Sequence, residues 1–336
     1  MSHQSVLFRS PAEAEAAHPT LDRSAALPIA ERDTLVILDE YQFSHDDQVT
    51  CQLERNGSIC GELHGKGHIV MRSDGNKGYL GGCCSKKHFG ESEHFRSQRA
   101  MVRRAIDAAD RRTRLQAHVS DLDLADRVAN LQSTMRALVV RARLLRDALP
   151  RTLVTLLADR HKRRALEVAI EVAYEVPDEA GNSRDDWRRE RVGNLVSAAF
   201  TDGVSIDQLR VRVHGVVKSL ARAREVTNPN SREVKVWLKE LESVAGMESE
   251  VAALKLTIAG FLSNENLATV KYLAYEARCL PEMLTEISEI LGNPRLTQSR
   301  AQQEAQAWVA SVRRANGDRR FRAAQEATLR PSTATV

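Results

Sequence analysis

Seven side chains able to hold a soft metal ion fall between Cys51 and Gly90: Cys51, Cys60, His64, His68, Cys83, Cys84 and His88. Thiolate sulfur and imidazole nitrogen together suit zinc, which takes four ligands tetrahedrally where its role is structural. If the stretch from Gly82 to Phe89 opens a helix, Cys84 and His88 stand four residues apart and face the same way. Cys51 and Cys60 would then complete a Cys3His set, with His64 or His68 as substitutes and Cys83 as the alternative to Cys84. A filled set leaves no coordination position open for chemistry, so the ion's work would be folding. Binding in such units is on the order of 10 to 16 kcal/mol, enough to organise a segment too poor in apolar residues for its own core.

The elements that must position these ligands are turn-rich. Gly57, Gly61, Gly65, Gly67, Gly75, Gly78, Gly81 and Gly82 punctuate the stretch. Apolar runs at Ile69 to Met71 and Tyr79 to Leu80 flank Ser73-Asp74-Gly75-Asn76, which is the turn chemistry of a β-hairpin. Two ligands in a loop, a hairpin, then two on the first turn of a helix resembles a treble-clef zinc finger. Cys84-Ser85 with His88 looks like the second half of FCS-type fingers. The resemblance covers residues 51–90 only, and Cys51 and Cys60 lie farther apart than the first pair of those families. It implies a structural zinc ion.

The rest of the chain carries no catalytic signature. Gly65-Lys66-Gly67-His68 lacks the spacing and the hydroxyl of a phosphate loop, and no His-Glu-x-x-His, nucleophile elbow or dinucleotide-binding glycine pattern occurs. His45-Asp46-Asp47 reads as a solvated loop and Cys279 as a buried helical residue. A non-enzymatic protein is expected. No run of apolar residues is long enough for a membrane helix and no secretory signal opens the chain. With cysteines gathered at one site, a reducing cytoplasm is the expected compartment.

Aromatic residues make up only 4% of the 336, and Ala, Leu, Val, Arg and Glu dominate beyond residue 95, a helix-favouring composition. Val102, Ile106 and Ala109 form one stripe. Leu124, Val128, Leu131, Met135, Leu138, Ala142, Leu145 and Leu149 recur at steps of four and three, a heptad seam. It ends at Pro150, and Leu166, Ala169, Ala173 and Val176 suggest a returning helix. Pro177 to Asn182 reads as a loop. Ser183 with Asp186 then opens a helix through Val192, Leu195 and Ala199 that closes near Gly203. Ser205 with Gln208 caps the next, Asn230 with Glu233 caps another, and a stripe from Trp237 to Phe261 reads as one long helix. Pro281 opens a further helix, and a last one passes Trp308 and Val312 to Gly317.

The expected fold is mainly α: a small zinc-bound β-hairpin module followed by a multi-helix bundle with long heptad-patterned helices. The expected divisions are an acidic, partly disordered segment 1–44, a zinc module 45–92, a helical hairpin 93–176, a helical bundle 177–327 and a disordered tail 328–336.

Charge is uneven. Residues 1–50 hold three basic and nine acidic side chains, whereas 51–150 hold 18 basic and 11 acidic. The first functional expectation is a scaffold or adaptor subunit that assembles with protein partners or with its own copies. Such a module on a helical body suits bacterial accessory systems, such as mobile-element or anti-phage defence complexes. The alternative is nucleic-acid binding through Lys66, Arg72, Lys77, Lys86 and Lys87 on the module and Arg103, Arg104, Arg111, Arg112 and Arg114 beyond it.

Overall fold

The computed structural model describes residues 5–21, 28–31, 33–55, 57–177, 182–196 and 198–324. The expected tail 328–336 and most of the loop 177–182 lie outside these residues, as does part of segment 1–44. Among the described residues the chain is mainly helical, with small sheets towards its start. It divides into two compact units, residues 1–121 with 223–238, and residues 122–222 with 239–336.

In the first unit the elements run β1 (Leu7–Phe8), α1 (Pro11–Ala17), β2 (Ile29–Ala30), β3 (Val36–Gln42), β4 (Val49–Thr50), β5 (Leu53–Arg55), β6 (Ser58–Ile59), β7 (Leu63–His64), β8 (Lys66–Met71), β9 (Lys77–Gly81), α2 (Gly82–Cys84) and α3 (Glu93–Ser120). Helix α2 runs straight into a π-helical turn, Ser85–Phe89. The main sheet has the order β1-β3-β8-β9, with β1 parallel to β3 and the other pairs antiparallel. The hairpin read from the sequence forms as β8–β9, with Ile69 opposite Tyr79. In its turn Gly75 takes a φ of 84°, which a glycine adopts without strain, and Asp74 Oδ1 accepts from the Asn76 amide.

Both faces of this sheet are covered. On one, Ile37, Val70 and Leu80 meet Phe89, Phe95, Val102 and Ile106, so the stripe read on α3 is its buried face. On the other, Tyr41, Ile69 and Tyr79 pack with Phe8, Ala14 and Leu21. Gln98 of α3 accepts from the Ile37 amide at 2.8 Å, and Arg103 reaches Glu40 at 2.8 Å, pinning the helix to β3.

The second unit holds α4 (Leu122–Ala148), α5 (Arg151–Arg163), β10 (Glu167–Pro177), β11 (Ser183–Asn194), a 3-10 turn at Ala199–Thr201, most of α6 (Gly203–Glu225), the end of α7 (Ser231–Glu242), α8 (Val244–Phe261), α9 (Asn264–Glu276), α10 (Leu280–Ile290), α11 (Gln298–Ala315) and β12 (Phe321–Ala323). Every residue of the α4 seam is buried. The helix packs on α8, where Arg127 forks onto Glu248 at 3.0 and 2.7 Å.

The structure departs from the sequence expectation in four places. Residues 167–177 and 183–194 form a long antiparallel hairpin, not two helices. Val168, Ile170, Val172, Tyr174 and Val176 alternate along β10, and β-branched residues at period two favour a strand over the helical spacing of Leu166, Ala169, Ala173 and Val176. Helix α5, which the sequence reading missed, starts directly after Pro150 and ends where Arg164 turns left-handed at φ 56°. The stripe from Trp237 to Phe261 is two helices broken at Ser243, whose hydroxyl donates to the Glu240 carbonyl at 2.6 Å. Gly203 begins α6 rather than ending a helix, and Asp202 caps it by accepting from the Ser205 amide at 3.1 Å. The cap at Asn230 with Glu233 is as read, each side chain bonding the other's backbone amide.

Candidate metal centre

Two short ladders fold residues 49–64 back on themselves. Val49 of β4 pairs with His64 of β7, and the β5–β6 hairpin spans the eight residues between Cys51 and Cys60. Backbone bonds lock the fold: the Cys51 amide donates to the Glu62 carbonyl at 2.9 Å and the Cys60 amide to the Leu53 carbonyl at 2.7 Å. Cys51, Cys60 and His64 therefore converge although no short motif links them. Cys84 reaches the same point from the other direction, on the helical turn that follows β9.

Three sulfurs and one imidazole nitrogen result, with ligand atoms all within 4.8 Å of one another. Cys60 Sγ lies 3.6 Å from Cys84 Sγ. That is far beyond a disulfide bond and close to the roughly 3.8 Å between two sulfurs that share a tetrahedral ion at bond lengths of about 2.3 Å. Cys51 and Cys84 are buried, whereas Cys60 and His64 are half-buried. His64 Nε2 is a buried nitrogen without a hydrogen bond. The Gly81 amide donates to Cys51 Sγ at 3.4 Å. A Cβ on Gly81 would run into the His64 ring, so only glycine allows this approach.

The clustered thiols shift one another's protonation. Burial pushes the Cys84 thiol up to about 12, and the neighbouring Cys51 and Cys60 add to the shift. At Cys60 burial acts in the same sense but is outweighed by hydrogen bonds from the Glu62 backbone, Cys84 and Arg55, so its thiol is held below the ordinary value. Three thiolates this close repel one another unless a cation sits between them.

Of the ligands read from the sequence, Cys51, Cys60 and Cys84 meet, with His64 as the fourth. His88 is outside the cluster, and its Nδ1 lies 2.7 Å from Glu31. Ser85–Phe89 winds as a π-helix, and the place that helical spacing offered to His88 is taken by His64. Cys83 is exposed. His68 is buried with its ring 5.9 Å from Phe95, and burial pushes it down to about 4.

The basic side chains divide into two groups. Arg72 is held by Asp74 at 2.7 Å, Arg103 by Glu40, Arg114 by Asp110 at 3.5 Å, and Lys77 lies 3.2 Å from His18 Nδ1. Lys66, Lys86, Lys87, Arg104 and Arg112 are exposed and have no acidic partner among the described residues, and Arg111 is half-buried. The sequence reading missed His18, whose Nε2 meets the buried Asp39 at 2.6 Å. Its only signal was a histidine in an otherwise unremarkable acidic segment.

Compared with known proteins, the chain matches no family model, no curated protein and no solved structure. Among the described residues no helix is long and apolar enough to cross a membrane.

Proposed function

We propose that Cys51, Cys60, His64 and Cys84 hold a structural zinc ion, and that the chain is a non-enzymatic scaffold or adaptor subunit whose first unit is locked by that ion. The observation that carries the metal reading is the convergence of three sulfurs and a nitrogen from four separate places in the chain onto one point. A soft, closed donor set of this kind suits zinc and leaves no position for substrate. The order of loop ligands, the β8–β9 hairpin and a ligand on the following helical turn supports a treble-clef-like module. The assembly reading draws support from the second unit, where Val140 and Leu144 stay exposed on α4 along a groove that Arg136 and Arg141 also line. Apolar side chains left in water beside arginines are common where a partner docks.

A second reading, nucleic-acid binding, is favoured by Lys86 and Lys87, exposed on the turn that follows Cys84. Light scattering with absorbance at 260 and 280 nm on one chromatographic peak separates the two. The assembly reading expects a nucleic-acid-free complex that persists from low to high salt. Nucleic acid that co-purifies, leaves with salt and is lost in a Lys86→Glu, Lys87→Glu variant would replace it with the second reading.

A further inference from the structure

The long hairpin of the second unit has an edge that no described element pairs with. Strand β11 runs for 12 residues and bonds to β10 on one side only. Its Gly193 end lies against Thr269, but from Ser183 to Arg189 every residue except Trp187 is exposed, the Asp185 side chain being partly covered by Arg320. An uncovered strand edge is a row of backbone donors and acceptors that readily takes another strand.

The charges along this edge have an order. Around Trp187 the sequence is Arg184-Asp185-Asp186-Trp187-Arg188-Arg189-Glu190. Laid antiparallel on its own copy, it sets Asp186 opposite Arg188, Asp185 opposite Arg189 and Arg184 opposite Glu190, with Trp187 facing Trp187. Two identical antiparallel strands related by a twofold axis must centre on a residue, because only then do facing residues turn their backbone groups the same way. Among registers centred from Arg184 to Arg191, the one on Trp187 alone avoids a like-charged pair. Centring on Asp186 sets Arg184 against Arg188, centring on Arg188 sets Asp186 against Glu190, and every other centre sets a charge against itself. Opposite charges across strands favour a register and like charges oppose it.

We propose that two copies of the chain associate edge to edge through β11, antiparallel and centred on Trp187, joining their three-stranded sheets into one. The surface is self-complementary, as a twofold interface requires. Within its own chain Asp186 lies 3.1 Å from Arg188 and Arg189 lies 3.5 Å from Glu167, exposed pairs that exchange partners at little loss. Asp185 pairs with Arg320 and Glu190 accepts from the Tyr174 hydroxyl at 2.7 Å, so each would share its carboxylate with the second copy. Arg184 has no acidic partner among the described residues and gains one. The proposal rests on the assembly reading for its purpose, not for its geometry, and it does not involve the metal.

The test is light scattering of the full chain over a wide concentration range, with two charge-swapped variants. Arg188→Asp with Arg189→Asp makes both residues on either side of Trp187 acidic, and Asp185→Arg with Asp186→Arg makes all four basic. The parent chain is expected to be a dimer, each variant alone a monomer with the parent's circular dichroism and zinc content, and the one-to-one mixture a dimer again. A parent that is monomeric throughout overturns the proposal, and its charges then serve to keep the edge unpaired. Dimers in both variants alone, or folded variants that fail to pair when mixed, also overturn it. Since zinc content is read on the same samples, this outcome is separate from that of the metal reading.

Discussion

The fourth ligand is where residue chemistry and residue spacing disagree. His88 has the helical spacing to Cys84, yet His64 sits with the three sulfurs. The β4–β7 pairing brings His64 there, and the missing side chain at Gly81 leaves it room, since a Cβ would occupy the space of the imidazole. Gly81→Ala should therefore weaken zinc binding tenfold or more in competition with a chromophoric chelator, whereas His88→Ala should leave it within about twofold, a tenfold change being about 1.4 kcal/mol. His68 supplies a separate, pH-dependent signature. Burial lowers its folded value to about 4 from the ordinary 6.5, so the ring is neutral in the folded chain. A depressed histidine supports the fold above pH 6.5, and that support is lost as pH falls towards 4, because the unfolded chain takes up a proton that the buried ring refuses. The loss amounts to roughly 3 kcal/mol at most. A His68→Leu variant, unfolded in urea across this range, should show a shallower decline than the parent, and an equal decline would remove His68 as the source.

At the scale of elements, the α4 seam was legible because its period is unbroken over the whole helix and its residues are all buried. Adjacent residues test that it is internal packing. Leu145 is 1% exposed and Leu144 60% exposed, so Leu145→Ala should cost about 2 to 5 kcal/mol and Leu144→Ala less than about 0.5 in urea unfolding. Comparable losses at both positions would show that α4 buries a second face. The hairpin β8–β9 and the α3 stripe were legible for similar reasons, since their apolar spacing and turn residues agree. The β10–β11 hairpin was not, because Leu166, Ala169, Ala173 and Val176 fit a helix while alternating valine, isoleucine and tyrosine fit a strand, and a tertiary partner decided between them. That partner is the cluster of Phe321, Val312, Trp308 and Tyr275 against Ile170 and Val172. The break between α7 and α8 carries neither glycine nor proline. The ligand set was legible as a group of cysteines and histidines but not in detail, because the β4–β7 pairing that brings in His64 leaves no local pattern.

For the molecule as a whole, the two units differ in what holds them together. In the first, Cys51 and Cys84 belong to the same buried cluster as Ile37, Leu53, Val70 and Phe95, so an ion bound there would be part of the core. The second has its own apolar interior along α4 and α8. Stripping zinc with a chelator should expose residues 45–92 to protease while most of the helical circular dichroism survives, and equal resistance with and without chelator would deny the ion a structural role. The most direct test of the metal centre is native mass spectrometry of the full chain and of its Cys84→Ser and His64→Ala variants. One zinc per chain in the parent and none in Cys84→Ser, with sharply reduced occupancy in His64→Ala, is the result these geometries predict. A parent without stoichiometric zinc, or a Cys84→Ser chain that keeps it in full, would contradict the Cys3His site.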